Sequence, residues 1–430
     1  MIKVLWVCNI MLPAIAKQLG LPYSNREGWL TGLLEKVMQE QQRNQISLAI
    51  AFPITEEMGS VNKDLPLGEG MTCRIYGFVE NLDTPEIYDS KIEERMKEII
   101  KDFKPDIVHI FGTEFPHALA CARAYRRPSR TLIGIQGLIS ACADVYMADL
   151  PRNIQHKVTF RDFVRKDSIR QQQRKFRKRG IYEKEAIRMT GHIAGRTDFD
   201  RELTAKINPE AKYHFLNETM RSCFYRDRWK PTTCVPYRIF LSQGDYPLKG
   251  FHYLLKAMPM VLEQYPEAHI CVAGSNILKE ETWKDKLKLP AYAKYLKKLI
   301  KENHLEEKVT MLGRLDAESM KEQFLLSHVF VCPSALENSP NSLGEAMLLG
   351  VPSVAADVGG VHNLLMDGGD GLLYPAGNVE ELAKQIIEIF SKETISEKFS
   401  DNARKHARQT HDADQNYYKL MQIYREIVNG

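Results

Sequence analysis

Residues 331–360, VCPSALENSPNSLGEAMLLGVPSVAADVGG, decide the reading of this chain. The apolar run 329–331 ends in a polar loop that holds Glu337 and Pro340, and Ser342 followed three residues later by Glu345 is the sequence mark of a helix N-terminus. Gly350 and Pro352 close that helix, and residues 351–356 read as another buried strand that ends at Asp357 and the pair Gly359-Gly360. Two polar loops thus fall at the carboxyl ends of adjacent strands, which is where an open α/β sheet binds its ligands. A helix that starts there offers unpaired amides and a partial positive charge to an anion such as a phosphate.

Working outward, the same grammar covers the chain. Before the linker, strands at 2–8, 46–52, 73–79, 107–111 and 131–136 alternate with helices at 29–42, 91–103 and 116–125, which predicts a parallel sheet covered on both faces. The loop from Asn9 to Glu27 is long for a strand-to-helix connection, and Gly28 follows it at the helix start. The second half repeats the pattern from Arg238 onward and ends in helices at 379–390, 395–409 and 413–428. With 430 residues, two domains are expected, because single cores stop growing near 250–300 residues. The architecture implied is α/β, two doubly wound Rossmann-like domains facing each other across a cleft, with residues 227–236 as the linker.

Composition excludes several classes. A net charge of +4 gives no reason to expect nucleic acid as a partner. Eight cysteines are scattered without a C-x-x-C pair, which predicts buried free thiols in a reducing compartment and no zinc site. No apolar run is long enough to span a bilayer. Ala14-Ile15-Ala16 imitates a signal-peptidase site, but residues 1–8 serve as the first strand. The expected location is therefore cytoplasmic.

Charge is concentrated rather than spread. Residues 152–179 hold eleven Lys or Arg against Asp162 and Asp167, a balance of +9, interleaved with Phe160, Phe163, Val164, Ile169 and Phe176. This reads as an amphipathic basic helical segment at 152–180 within the first domain. It is either a solvated face or a contact for an anionic membrane surface or a phosphate-bearing acceptor.

Glu337 and Glu345 form an E-x₇-E pair that Pro340 keeps off one continuous helix. Glu345 carries two readings, as the partner of Ser342 in a capping box or as an acceptor for ligand hydroxyls. In the second, the amides near Asn341, Ser342 and Leu343 take a diphosphate, Glu345 the ribose and Glu337 the sugar. A cation must then offset the two carboxylates, and Lys249, in a loop after a strand and just before Gly250 at a helix start, is the candidate. His109 on a strand and Arg196 in the loop GRTD carry thinner support. His109 is read as structural or as a ligand contact, and Arg196 as a site cation or as the partner of Asp198 or Asp200. Glu218 and Arg221 read as a local ion pair.

Glu337-x₇-Glu345, Gly313 at a strand end, Ser242 through Lys249-Gly250 and Gly359-Gly360 together resemble the family 4 retaining glycosyltransferases of the GT-B fold, of the bacterial envelope polysaccharide type. The resemblance is strong over 238–384 and weaker over the first half, where His109 and Gly28 match. It implies an acceptor-binding domain at 1–226, a nucleotide-sugar domain at 227–412 and a C-terminal helix at 413–430 that crosses back to the first domain. It also implies a hexosyltransferase whose catalytic groups are Glu337 and Lys249. Glu345, Asn341, Ser342, Leu343, Gly313, Arg314, Gly28, His109 and Arg196 would bind substrates. The resemblance implies no metal and no cofactor beyond the nucleotide diphosphate sugar itself. Where the family carries an arginine just upstream of the lysine this chain has Gln243, so Arg196 or Arg314 would supply the second positive charge. Gln136-Gly137 stands where a histidine is frequent, and His362 where a glutamate follows Gly-Gly. The acceptor expected is a glycan or lipid-linked hydroxyl in cell-envelope polysaccharide biosynthesis, with the enzyme peripheral on the inner face of the membrane. A sugar-nucleotide epimerase, or a nucleotide-sugar-binding protein without turnover, are the alternatives.

Overall fold

A computed structural model describes residues 1–21, 28–40, 46–67 and 72–430. The loop tip at 22–27 and the end of the first long helix at 41–42, both part of the sequence reading, lie outside the described residues. The chain divides into two compact units. One comprises Met1–Ala141, Lys175–Arg221 and His411–Gly430, the other Cys142–Arg174 and Ser222–Thr410.

The first unit is built on eight strands: β1 (Ile2–Val7), β2 (Ile46–Ile54), β3 (Asn62–Pro66), β4 (Thr72–Val79), β5 (Ile107–Phe111), β6 (Thr131–Gly134), β7 (His192–Gly195) and β8 (Lys212–Phe215). Their order is β3-β4-β2-β1-β5-β6-β7-β8, all parallel except β3, which pairs antiparallel with β4. The apolar strands are buried on both faces, as a parallel sheet between helical layers requires: Val4, Leu5, Trp6 and Val7 of β1 are fully buried. Because β2 and β5 leave β1 on opposite sides, the order reverses between β1 and β5, and the loops after those two strands are splayed at that point.

The C-terminal helix Ala413–Asn429 belongs to this unit. Tyr417, Leu420, Ile423, Tyr424 and Ile427 enter the same core as Trp6, Leu30 and Phe111. Its Tyr424 hydroxyl accepts from Trp6 Nε1 at 2.9 Å and lies 2.7 Å from His109 Nδ1.

The second unit has six strands, all parallel: β9 (Arg238–Leu241), β10 (His269–Ala273), β11 (Val309–Gly313), β12 (Val329–Cys332), β13 (Ser353–Asp357) and β14 (Leu372–Pro375). The order is β11-β10-β9-β12-β13-β14, so here the reversal falls between β9 and β12. Helices Phe251–Gln264, Ala291–Glu302, Ala317–Leu325, Asn341–Leu349, Val379–Ser391 and Glu393–Thr410 accompany the sheet.

Two expectations need correction. Residues 142–174 belong to the second unit, not to a first domain ending at 226. Buried polar contacts hold them there: His252 Nε2 donates to the Ala148 carbonyl at 2.8 Å, Tyr253 donates to Asp149 at 2.8 Å, and the Ala291 amide donates to Asp162 at 3.0 Å. The basic segment is helical, in three helices, Arg152–Gln155, Phe160–Arg165 and Ile169–Arg188. Residues 227–236 are not a free linker either. Trp229 is buried, its amide donates to the Leu349 carbonyl and its Nε1 to the Ser327 carbonyl, both at 2.7 Å.

All eight cysteines are free thiols, six of them buried. Among the described residues no helix is long and apolar enough to cross a membrane.

Candidate functional site

The reversal point of the second sheet gathers the residues of the E-x₇-E stretch. The loop after β9 ends in the tight turn Pro247–Lys249 and in Gly250, whose φ of +70° opens the helix Phe251–Gln264. A Cβ at Gly250 would lie 1.8 Å from the Pro333 carbonyl oxygen, so only glycine lets the loops after β9 and β12 approach this closely. The Ala335 amide donates to the Leu248 carbonyl at 2.8 Å and ties the two loops together. On the other side Gly360 N–H donates to the Glu337 carbonyl at 3.1 Å, and Gly359, at φ +55°, has no room for a side chain against that same oxygen. Three loops are thus laced around Glu337.

The side chains follow. Glu337 Oε1 accepts from Lys249 Nζ at 2.5 Å and from Ser334 Oγ at 2.7 Å. Both ends of the ion pair are largely buried, with Lys249 23% and Glu337 14% exposed. Burial pulls the Lys249 ammonium toward deprotonation, but the Glu337 carboxylate outweighs it and the lysine pKa rises above its ordinary value. Lys249 is therefore a fixed cation at neutral pH. Burial also pushes the nearby Tyr246 phenol up to about 12.

The capping box is not formed. Pro340, with φ −68° and ψ 115°, is the N-cap of Asn341–Leu349, and no side chain caps the helix. Ser342 is then already inside the first turn, and Glu345 is buried one turn further on. The Pro340 carbonyl takes the Leu343 amide at 2.9 Å and the Gly344 amide at 3.2 Å. Leu343 thus leaves the expected set of anion donors, while the amides of Asn341 and Ser342 have no partner among the described residues. Ser339 Oγ and Asn341 Oδ1 are buried there and also unpartnered among the described residues.

The rest of the expected site spreads further. Gly313 ends β11 at φ +76°, and the exposed Arg314 guanidinium reaches Ser275 Oγ at 3.3 Å. Gln243 donates to Asp245 at 2.9 Å. Asp357 and His362 lie 3.3 Å apart at the surface.

Arg196, Gly28 and His109 lie in the first unit. Arg196 is buried, pairs with Glu218 at 3.0 Å and donates to the Ile135 carbonyl at 2.8 Å, so its charge is already matched. Glu218 therefore partners Arg196, and the stretch 216–221 is not helical. Gly28 opens the helix Gly28–Gln39, and a Cβ there would lie 2.8 Å from Arg221 Nε, the end of a flexible side chain.

His109 is buried, and burial lowers its pKa to about 3, so the ring is neutral. Because Tyr424 accepts from Trp6 and has its own proton left to give, it donates to Nδ1 and leaves the ring proton on Nε2. That Nε2 has no partner among the described residues, and His109 lines a small pocket together with Arg196, Glu218 and Gln136.

Sequence reasoning missed a second polar cluster, at the reversal point of the first sheet. Asn9 donates to Glu114 at 3.1 Å, the Gly137 amide donates to the other Glu114 oxygen at 3.1 Å, and His117 bridges Asn9 at 3.0 Å and Glu80 at 2.6 Å. Glu183 accepts from the Ile139 and Ser140 amides at 2.6 and 2.9 Å. Burial raises the pKa of both Glu114 and Glu183. The available signal was FGTEFPH, a polar loop directly after a buried strand. Ser334 was missed as well, though it lies three residues before Glu337 on the same loop. Among the described residues no group of three or more His, Cys, Asp or Glu is placed to hold a metal ion.

Residues 227–406, which include Lys249, Gly313, Ser334, Glu337 and Glu345 but none of the first-unit residues, match the family model described as Glycosyl transferases group 1. The match covers 180 of the 430 residues, all of them in the second unit. A phosphatidyl-myo-inositol mannosyltransferase of Mycobacterium leprae is 25% identical over 193 residues, 45% of this chain and 47% of that protein. The chain spans about half the length, or less, of the curated relatives it matches. Two solved structures match nearly end to end. Sucrose-phosphate synthase of Thermosynechococcus elongatus superposes with a TM-score of 0.68 at 14% identity over 99% of both chains. Anabaena HepE in complex with UDP-glucose does so with 0.65 at 15% identity over 99% of this chain and 100% of that one. The fold is GT-B, with the matched residues 227–406 in its second Rossmann-like unit.

Proposed function

We propose that the chain is a retaining hexosyltransferase that moves a sugar from a nucleotide diphosphate sugar to a hydroxyl of a glycan or lipid-linked acceptor. The observation that carries this reading is the Lys249–Glu337–Ser334 triad beside the open amides of Asn341 and Ser342, within the matched residues 227–406. Lys249 and the two amides hold the diphosphate, Glu345 the ribose, Glu337 the donor sugar, and the backbone at Gly313 and Arg314 the base. Arg314, exposed and without an acidic partner among the described residues, supplies the charge that Gln243 lacks; Arg196 is spent on Glu218.

In this mechanism the bond from the sugar anomeric carbon to the diphosphate oxygen breaks, and a bond to the acceptor oxygen forms on the same face. The acceptor proton passes to the departing phosphate. Lys249 and the amides stabilise the charge that grows on the diphosphate, which is where preorganised donors lower a barrier most. No metal or further cofactor enters the step, because protein groups carry the neutralising charge. Nothing in the site favours an epimerase or a turnover-free binder over transfer.

UDP-glucose is the first donor to test, because it is the ligand of HepE. The name of the mycobacterial relative supports a lipid-linked acceptor. With such an acceptor the enzyme works in envelope polysaccharide assembly, on the cytoplasmic face of the membrane. The test is a thermal-shift screen of nucleotide sugars, since a ligand of the native state raises the melting temperature, followed by nucleotide diphosphate release from the hit. Glu337→Ala abolishes turnover while the protein stays folded; full activity in that variant overturns the assignment.

A further inference from the structure

Two short helices of the second unit turn their apolar sides outward. In Phe160–Arg165 the acid faces in: Asp162 is buried, and its carboxylate accepts the Thr159 amide at 3.1 Å and the Ala291 amide at 3.0 Å. The helix is thus pinned by its polar side to the start of Ala291–Glu302. Phe160, Phe163 and Val164, spaced i, i+3 and i+4, are left 64, 75 and 62% exposed. Against it packs Trp283–Lys288, capped by Thr282 and Asp285, whose Trp283 and Leu287 are 68 and 46% exposed. The two helices line one groove with Arg161, Arg165, Lys284 and Lys288. A surface helix ordinarily buries such side chains, and a contiguous exposed group of them marks a binding surface.

Charge identifies the occupant. Residues 157–166 and 283–288 hold seven Lys or Arg against two acids, Asp162 and Asp285, and both acids are engaged in helix caps. Arg161 is paired with Asp162 and Asp167, and Lys286 with Glu280. Lys157, Arg165, Lys166, Lys284 and Lys288 make no ion pair among the described residues. Aromatic side chains that enter the headgroup region, ringed by unmatched cations, suit an anionic bilayer. By contrast, part of the charge on the longer basic helix Ile169–Arg188 is used internally: Lys175 pairs with Glu86, and Arg179 donates to the Glu114 carbonyl.

We propose that Phe160, Phe163, Val164, Trp283 and Leu287, with Arg165, Lys166, Lys284 and Lys288 around them, form a docking surface for an anionic lipid bilayer. This deepens the reading of a lipid-linked acceptor and rests on it for its purpose, but its test involves no turnover. The full chain is sedimented with vesicles of phosphatidylcholine alone and of phosphatidylcholine mixed with phosphatidylglycerol. Binding is expected to require phosphatidylglycerol and to fall with salt. The F163S/W283S variant is expected to bind roughly tenfold more weakly or worse, with an unchanged melting temperature because both side chains are exposed. The R165E/K166E/K288E variant is expected to lose binding even at low salt. Absence of wild-type binding, or equal binding by F163S/W283S, overturns the proposal. So does self-association of the wild type that F163S/W283S abolishes while vesicle binding is unchanged. Lost vesicle binding with donor turnover intact refutes this surface alone, whereas vesicle binding without turnover refutes the transferase reading instead.

Discussion

Replacing Lys249 with alanine tests the site and the fold energetics at once. Removing one partner of a fully buried ion pair costs about 3–5 kcal/mol, because the other charge is left unmatched. Here the side chains are 23% and 14% exposed, and Ser334 still donates to Glu337, so water and that hydroxyl recover part of the loss. The expected destabilisation is about 1–3 kcal/mol. Glu337→Ala costs a similar amount by stranding the ammonium. The double variant costs less than the sum, with a coupling of at least about 1 kcal/mol, because neither charge is then orphaned. On activity, loss of a cation aimed at the departing diphosphate removes a group matched to the transition state, worth about 10²–10³ in kcat. The assays are urea unfolding of the wild type, both single variants and the double variant, and nucleotide diphosphate release by the wild type and Lys249→Ala. Additive stabilities, within about 0.5 kcal/mol, would show that the pair is not formed. A Lys249→Ala enzyme within a few-fold of wild-type kcat would refute the role of the lysine even if the pair were real.

Gly250→Ala should be worse than its size suggests. It forces a side chain into φ +70°, at about 1–2 kcal/mol, and against the Pro333 carbonyl, so the loops after β9 and β12 must part. Thermal melting should fall by several degrees and donor binding by thermal shift should weaken; an unchanged protein would contradict the loop geometry. Acid sensitivity follows from the buried histidines. Burial holds His109 at about 3, and His252 and His328 at about 4, whereas in the unfolded chain all three return to about 6.5. Between those values the unfolded state binds more protons, so stability is fully present above about pH 6.5 and is lost as the pH falls toward 3–4. Urea unfolding at pH 7 and pH 5 should show this slope, and a His109→Gln variant should show a shallower one; equal slopes would remove His109 from the account.

Much of the second unit could be read along the chain. The strand, loop and helix of 331–360 rest on apolar runs, a proline and a glycine stop, which are local and act wherever they occur. The same local logic erred where two signals competed. Ser342 and Glu345 have capping-box spacing, but Pro340 fixes its own φ and becomes the N-cap, so the box does not form. Residues 152–180 failed for a different reason. Their charge is visible in the sequence, but which acids turn inward depends on partners more than a hundred residues away, and Asp162 meets Ala291 only in the folded chain.

What the sequence determined by itself is therefore the alternation of strands and helices and, from it, two α/β sheets, which rest on periodicity within short windows, whereas the GT-B class came from the resemblance of the motifs to a family. Only the tertiary structure decided that Lys249 and Glu337 share one ion pair, that Arg196 is spent on Glu218 and that the phenylalanines of 160–163 face outward. These are matters of which charge finds which partner once distant strands lie side by side, and Coulomb attraction and desolvation act on distance in space, not along the chain.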